Sequence, residues 1–417
     1  MRSSLVLVAG PISLILAASC GARDALLGDG APNEGGAADG GAPAGGSSGD
    51  GGFGGVPNVG RLVAAGAFHT CATDASGTAV YCWGRNNEGQ LGTGDFEDSS
   101  SPRLVALPAT GSIIALTAGY RHTCAVVAPN DVFCWGENGA GQVGVFRGTP
   151  VVETPTAVPL PDDAAGVVTT LTAGEYHSCA GLDDGSVACW GDNTNGQLGM
   201  PTMQTYPNPP LSVGPVGPAL TAGDFHTCSL TANQSFCWGA NFDGQLGNGK
   251  TAPSNVPVAT LAGPLRQIES KAFTTLALDD TGAMVGWGEN FSMLLSTDGF
   301  DITTTPIAVH EGERFSDLAV GIAHACAITL RGGTGAGSLR CWGDNSNGQL
   351  GDGTQNSSAK LVAPLEQNGS FTAFDTGGLH TCAFAGDSLY CWGQNDEGRC
   401  GQPPPGPVLV PTKVDGI

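Results

Sequence analysis

The sequence predicts an all-β protein, a seven-bladed β-propeller. Seven tryptophans (Trp83, Trp135, Trp190, Trp238, Trp287, Trp342 and Trp392) recur at intervals of about 50 residues. Each lies in one copy of a unit holding about four short strand signals separated by turn residues, the period of a propeller blade. The composition agrees: 67 Gly and 27 Pro with only 13% charged residues describe many short extended segments joined by turns. Length decides little, because propellers routinely use more than ~250 residues as one unit.

The N-terminus reads as an export signal: Arg2, then an apolar run from Leu5 to Ala18, then small residues before Cys20. That run of roughly 14 residues is short for a spanning helix. The segment LILAASC resembles the lipobox of bacterial lipoproteins, although Ala17 stands where leucine is more usual. The resemblance implies a signal peptide over 1–19, lipid on Cys20, and a place in the bacterial envelope outside the cytoplasm, at the outer membrane or cell surface; ordinary cleavage leaving a free Cys20 is the alternative. Residues 20–58 are rich in Gly, Ala, Ser, Asp and Pro, with Phe53 as their one aromatic residue. Such a segment cannot bury enough apolar surface to offset its ordering entropy and is expected to be a flexible tether.

Residues 59–417 are expected to form the propeller. The third copy, LTAGEYHSCAGLDDGSVACWGDNTNGQLG from Leu171 to Gly199, shows the unit well. Alternating small and apolar residues up to Ala180 read as one strand, Asp183, Asp184 and Gly185 turn the chain, and Val187 to Trp190 read as the next strand. A second turn and, in most copies, a Pro-x-x-Val strand follow. The C-terminal GPVLVPTKVDGI carries such a strand with no repeat after it, while the first repeat begins without one before it. The two ends are therefore expected to complete each other's blade and close the ring.

Fourteen cysteines divide into Cys20, Cys400 and six pairs, one in each of six blades: Cys71 with Cys82, Cys124 with Cys134, Cys179 with Cys189, Cys228 with Cys237, Cys326 with Cys341, and Cys382 with Cys391. In the fifth blade both positions change together, to Leu276 and Gly286. That joint change is expected if the two sulfurs bond each other. Facing positions of a tight hairpin fall within disulfide range, and each closed loop would contribute about 2 to 3 kcal/mol on the entropic model.

A metal reading has to be weighed, because His69, His122, His177, His226, His324 and His380 each stand two residues before the first cysteine of a pair. Zinc needs four converging ligands and no blade offers more than three, so core histidines are expected. The DNTNGQLG and DNSNGQLG segments from Asp192 and Asp344 fail as calcium loops, with glycine one place early and Met203 and Gln355 where the bidentate glutamate belongs. Cys400, in GRCG, replaces the leucine of GQLG and is expected to fill its apolar space. No nucleophile elbow, phosphate loop or carboxylate pair stands outside the repeat, so the chain reads as non-enzymatic, without cofactor or metal. The net charge of −22, with 14 basic and 33 acidic side chains in 59–417, excludes nucleic acid as a favoured partner.

The elements AGxxHTCA and CWGxNxxGQLG, repeated over roughly 360 residues, resemble the repeat of the regulator of chromosome condensation family, whose members are seven-bladed propellers. That family includes a nuclear exchange factor for a small GTPase, ubiquitin-ligase subunits and a secreted bacterial inhibitor of β-lactamase. The resemblance therefore implies the fold and leaves the function open. No position here matches the exchange factor's GTPase-contacting loops, and the cysteine pairs depart from the nuclear pattern. The expected function is a lipid-anchored scaffold that binds a protein or another envelope macromolecule. The alternatives are an inhibitor or regulator of an exported enzyme and, less favoured, nucleotide exchange. Segments after CWG share one face, and Phe146, Met200, Met203, Tyr206, Phe291 and Met293 are the candidate contact residues there.

Overall fold

A computed structural model of the chain describes residues 61–145, 148–201, 210–214, 216–295, 302–330, 337–365 and 371–417. Seven four-stranded antiparallel sheets are present, each built from strands consecutive in the chain. The first comprises Val63–Ala65, His69–Thr73, Val80–Gly84 and Ser99–Val105, from the innermost strand outward. The last comprises Phe371–Thr376, His380–Ala385, Ser388–Gly393 and Val408–Lys413 in the same order.

This order corrects the expectation that the two ends complete one blade. The C-terminal strand Val408–Lys413 pairs with Ser388–Gly393 of its own blade, and the first blade already has the outer strand Ser99–Val105. The ring closes by contact between complete blades. Ala65 N–H donates to the Asp375 carboxylate at 2.8 Å and Gly378 N–H donates to Gly66 C=O at 3.0 Å. Arg399 donates to Ala67 C=O at 2.8 Å.

The repeated residues hold neighbouring blades together. Every tryptophan is fully buried, and each indole N–H donates to a carbonyl of the preceding blade's outer turn: Trp135 to Gln90, Trp190 to Gln142, Trp238 to Gln197, Trp287 to Gln245, Trp342 to Leu294, Trp392 to Gln349, and Trp83 round the ring to Arg399. Each histidine of the repeat reaches the hydroxyl of the next blade through Nε2: His69 to Thr123, His122 to Ser178, His177 to Thr227, His226 to Thr275, His324 to Thr381 and His380 to Thr70, at 2.7–3.1 Å. Most of these hydroxyls already donate to a carbonyl, so the histidine donates and its Nε2 carries the proton.

The six cysteine pairs are disulfides between directly facing positions, with Cα atoms 4.0–4.1 Å apart. In the fifth blade Leu276 faces Gly286, and a Cβ on Gly286 would stand 2.5 Å from a Leu276 methyl, so leucine fills the space of the missing bond. The same blade lacks the histidine, having Thr274 there, and the following blade has Ala325 in place of the hydroxyl partner. Both halves of that interblade hydrogen bond are lost together.

Cys400 is fully buried, and its thiol lies 3.3 Å from Gln394 C=O. Burial pushes the thiol's pKa far up, which makes it unreactive at neutral pH. Denatured but unreduced protein is therefore expected to show one labelled thiol among residues 61–417, and native protein none. Several labelled thiols in protein taken from its own compartment would contradict the oxidised blades.

Candidate binding face

Each sheet runs inner strand, tip, second strand, far hairpin, third strand, outer turn. The tips and outer turns consequently emerge on one face, and the far hairpins, such as Asp183–Gly185, on the other. The tip is a two-residue turn closed by Gly66 N–H on His69 C=O at 2.9 Å, and the same closure recurs at Gly119, Gly174, Gly223, Gly321 and Gly377. Glycine is required because a Cβ at Gly66 would stand 2.5 Å from the His69 ring. In the fifth blade Thr274 replaces the histidine and releases the constraint, and Lys271 occupies the glycine position. Its ammonium reaches over the channel mouth to within 3.4 Å of Ala118 C=O on the second blade.

The two tip residues are the xx of AGxxHTCA. The second of them is Phe68, Arg121, Tyr176, Phe225, Phe273, Ala323 or Leu379 around the ring, and the first includes Tyr120, Glu175, Asp224 and Ile322. All of these named side chains are part-exposed. The second residue's carbonyl accepts the N–H of the residue following CWG in the same blade, as Phe68 does from Arg85 and Phe273 from Glu289, which holds the outer turn against the tip. The result is a belt of aromatic and aliphatic side chains round the channel mouth, in direct contact at Phe68 with Tyr120 (5.5 Å between centroids), Tyr176 with Phe225 (6.5 Å) and Phe225 with Phe273 (6.1 Å).

Charge is divided across this belt. Arg85, Arg121 and Arg399 lie over the Phe68 ring at 5.2, 6.0 and 5.1 Å, and each also pairs with a carboxylate: Arg85 with Glu88, Arg121 with Glu137, Arg399 with Glu397. On blades three to five the side chains are acidic. Burial raises the pKa of Glu175 and Glu289, and burial together with the Glu175 charge raises that of Asp224 to about 7.

The candidate residues from the sequence fall unevenly. Phe291 is on this face and 59% exposed. Met293 is beside it, part-buried, in a left-handed backbone conformation with φ 59° where the other blades have glycine. Met200 is part-exposed and packs against the core between blades three and four, which includes Leu198, Val213 and Trp238. Phe146, Met203 and Tyr206 lie outside the described residues, as do Cys20 and the whole of 1–60. Sequence reasoning missed the belt itself and the exposed Phe242, at 62%. The available signal was aromatic residues at variable places inside an otherwise constant motif.

Among the described residues no three His, Cys, Asp or Glu side chains converge as a metal site. The histidines instead spend Nε2 on hydroxyls of the next blade.

Two family models described as the regulator of chromosome condensation (RCC1) repeat match residues 79–126, 130–180, 336–384 and 387–417, and residues 61–90, 113–142 and 168–197. The first model's repeat begins on the third strand of one blade and, in its complete matches, ends on the second strand of the next, so sequence repeat and structural blade are offset by half a unit. The human probable E3 ubiquitin-protein ligase HERC6 is 33% identical over 278 residues, covering 62% of this chain and 26% of the ligase. The Arabidopsis thaliana ultraviolet-B receptor UVR8 is 28% identical over 322 residues, 74% of this chain and 71% of the receptor. This chain thus spans about a quarter of the human ligase. Among solved structures, human WBSCR16 superposes with a TM-score of 0.71 at 21% identity, over 81% of this chain and 94% of that one. Yeast RCC1 (Prp20), solved bound to Kap60, superposes at 0.68 and 20%, over 81% and 84%. The chain belongs to the regulator of chromosome condensation repeat family.

Proposed function

We propose that this propeller is a non-catalytic scaffold, held outside the cytoplasm by lipid on Cys20, that binds a protein partner through the face carrying the tips and outer turns. The part-exposed aromatic belt round the channel mouth carries the reading, since aromatic residues are enriched in interface cores and dominate binding energy there. A purely structural tip needs only small or polar residues, as Ala323 in the sixth blade and Gly378 in the last illustrate. The yeast relative solved with Kap60 supports protein binding as work this fold can do. Disulfides in six blades favour an oxidising compartment.

The test is affinity capture from the native envelope followed by mass spectrometry. Phe68→Ala with Phe225→Ala is expected to reduce capture at least about tenfold, at ~1 kcal/mol or more per aromatic contact. Asp184→Lys, on the far hairpins, is expected to leave it unchanged. The reverse pattern would move the site to the other face. For the anchor, Cys20→Ala is expected to shift the protein from membranes to the soluble exported fraction, and unchanged membrane retention would exclude lipidation.

A further inference from the structure

We infer that blades three to five of this face dock an extended basic segment of the protein partner, with lysine or arginine side chains laid along the row Tyr176, Phe225 and Phe273. The inference rests on the proposed binding face and names the chemistry of what it binds.

Four carboxylates border the row. Glu175 and Asp224 are the tip residues immediately before Tyr176 and Phe225. Glu289 is tied by its N–H to Phe273 C=O, and Asp243 lies in the outer turn beside the exposed Phe242. These groups feel one another: Glu175 and Glu289 both act on Asp224, and Asp243 acts on Glu289. Like charges gathered in partly desolvated positions repel, and an incoming cation relieves that repulsion.

The aromatic faces add a second attraction for the same ligand, since ring quadrupoles bind ammonium and guanidinium groups. In the first sector of the belt this attraction is already used internally, with three guanidinium groups over Phe68 and each neutralised by its own glutamate. Lys271, the basic residue closest in sequence to the row, sends its ammonium across the channel mouth toward Ala118 C=O; it still attracts the Asp224 carboxylate, as Arg121 attracts Glu175, so the charge of the row is offset only in part from within. The contrast between the sectors, arginines over Phe68 and carboxylates along Tyr176 to Phe273, argues for a partner that supplies the cations.

Spacing favours an extended segment over a single amine. The rings stand 6.5 and 6.1 Å apart, and alternate side chains of an extended strand lie roughly 6.6 Å apart on one side. The fifth blade is also the most altered of the seven. It holds Ala272 and Met293 at positive φ, with His310 immediately after its outer strand, and these are the three non-glycine residues with that conformation among the described residues. Two of the three, Ala272 and Met293, are on the tip face, and His310 is at the opposite end of its strand; strained backbone is kept where a surface serves a ligand. Ala272 is the tip residue beside Phe273, and Met293 lies in the outer turn beside Glu289.

The experiment titrates the full-length protein, at physiological salt, with a fluorescein-labelled peptide of alternating lysine and serine and with its twin in which every lysine is acetylated. The lysine peptide is expected to bind at least tenfold more tightly. Phe225→Leu keeps the net charge and an apolar side chain but removes the aromatic face, and is expected to weaken lysine-peptide binding at least fivefold with an unchanged melting temperature. Phe68→Leu in the arginine sector is expected to change it less than twofold. Equal binding by wild type and Phe225→Leu would overturn the inference by reducing the attraction to net charge, and so would equal binding of the acetylated twin. Native-partner capture separates this failure from that of the binding face. Capture that survives Phe225→Leu but is lost in Phe68→Ala leaves the face standing and removes the basic segment. Capture unaffected by both removes the face.

Discussion

The propeller is expected to unfold near pH 5. Burial lowers the pKa of His69, His122, His177 and His226 to about 3, that of His324 to about 4, and that of His380 well below 6.5. In the unfolded chain these groups titrate near 6.5. Between pH 6.5 and about 3 the unfolded state binds protons that the folded state refuses, so stability falls as pH falls. Each histidine contributes up to about 1.4 kcal/mol per pH unit between 6.5 and its own folded value, so the five with folded values of about 3 to 4 together contribute up to about 7 per unit above pH 4, and His380 acts in the same direction. Asp224, with its pKa raised to about 7, acts in the opposite sense, as do Glu137, Glu175 and Glu289, and offsets part of the slope. A domain with a total stability of 5–15 kcal/mol would exhaust it within about two pH units. The check is urea unfolding at a series of pH values. His177→Gln retains an N–H donor for the Thr227 hydroxyl but cannot be protonated, and is expected to reduce the slope by about 1.4 kcal/mol per unit. A stability flat from pH 7 to pH 4 would contradict the neutral histidine ring.

Removing Val408–Ile417 is expected to lower the melting temperature by on the order of 10 °C and to promote association. The deletion takes away the whole outer strand of the last blade and exposes the Ser388–Gly393 edge. It also removes Val414, which is 1% exposed and packs with Cys382, Cys391, Cys400 and Trp83, a burial worth about 1.5–3 kcal/mol alone. Hydrogen exchange locates the damage. Protection should fall first along Ser388–Gly393, while Val80–Gly84 in the first blade keeps its own partner Ser99–Val105. Early loss in the first blade would restore the shared-blade closure, and a melting point within a degree or two of the full chain would leave the strand without a structural role.

Much of the fold was legible because the residues that join the blades are chemically unusual and periodic. Tryptophan indole, histidine and a facing cysteine pair are each used by a neighbouring blade or strand, so each recurs with the blade, the tryptophan in all seven and the other two in every blade but the fifth. Covariation within the chain carried further information, as Leu276 with Gly286 shows for the missing disulfide. The closure was misread because a Pro-x-x-Val strand looks equally able to pair with either end of the chain. Only the antiparallel order, in which every strand pairs with the next one in sequence, assigns it to the last blade. The binding face was half read. Outer-turn residues such as Phe291 stood out as departures from a constant pattern, and one such departure, Met200, also packs against the core while staying part-exposed. The belt at Phe68, Tyr120, Tyr176, Phe225 and Phe273 lay in the positions that vary, where no periodicity marks a residue. Its significance comes from the tight turn, which brings seven such positions together round one opening. Lys271 has the same character, since only the loss of His226's counterpart at Thr274 gives its side chain room.

The central claim is that a protein partner covers the aromatic face of this propeller. It is tested most directly by placing a photo-crosslinking amino acid at Phe225 and, in a separate protein, at Asp184 on the far hairpins, and irradiating each in the native envelope. A discrete higher-mass protein adduct from position 225 and none from position 184 is the result this account predicts. An adduct from position 184 alone would contradict it.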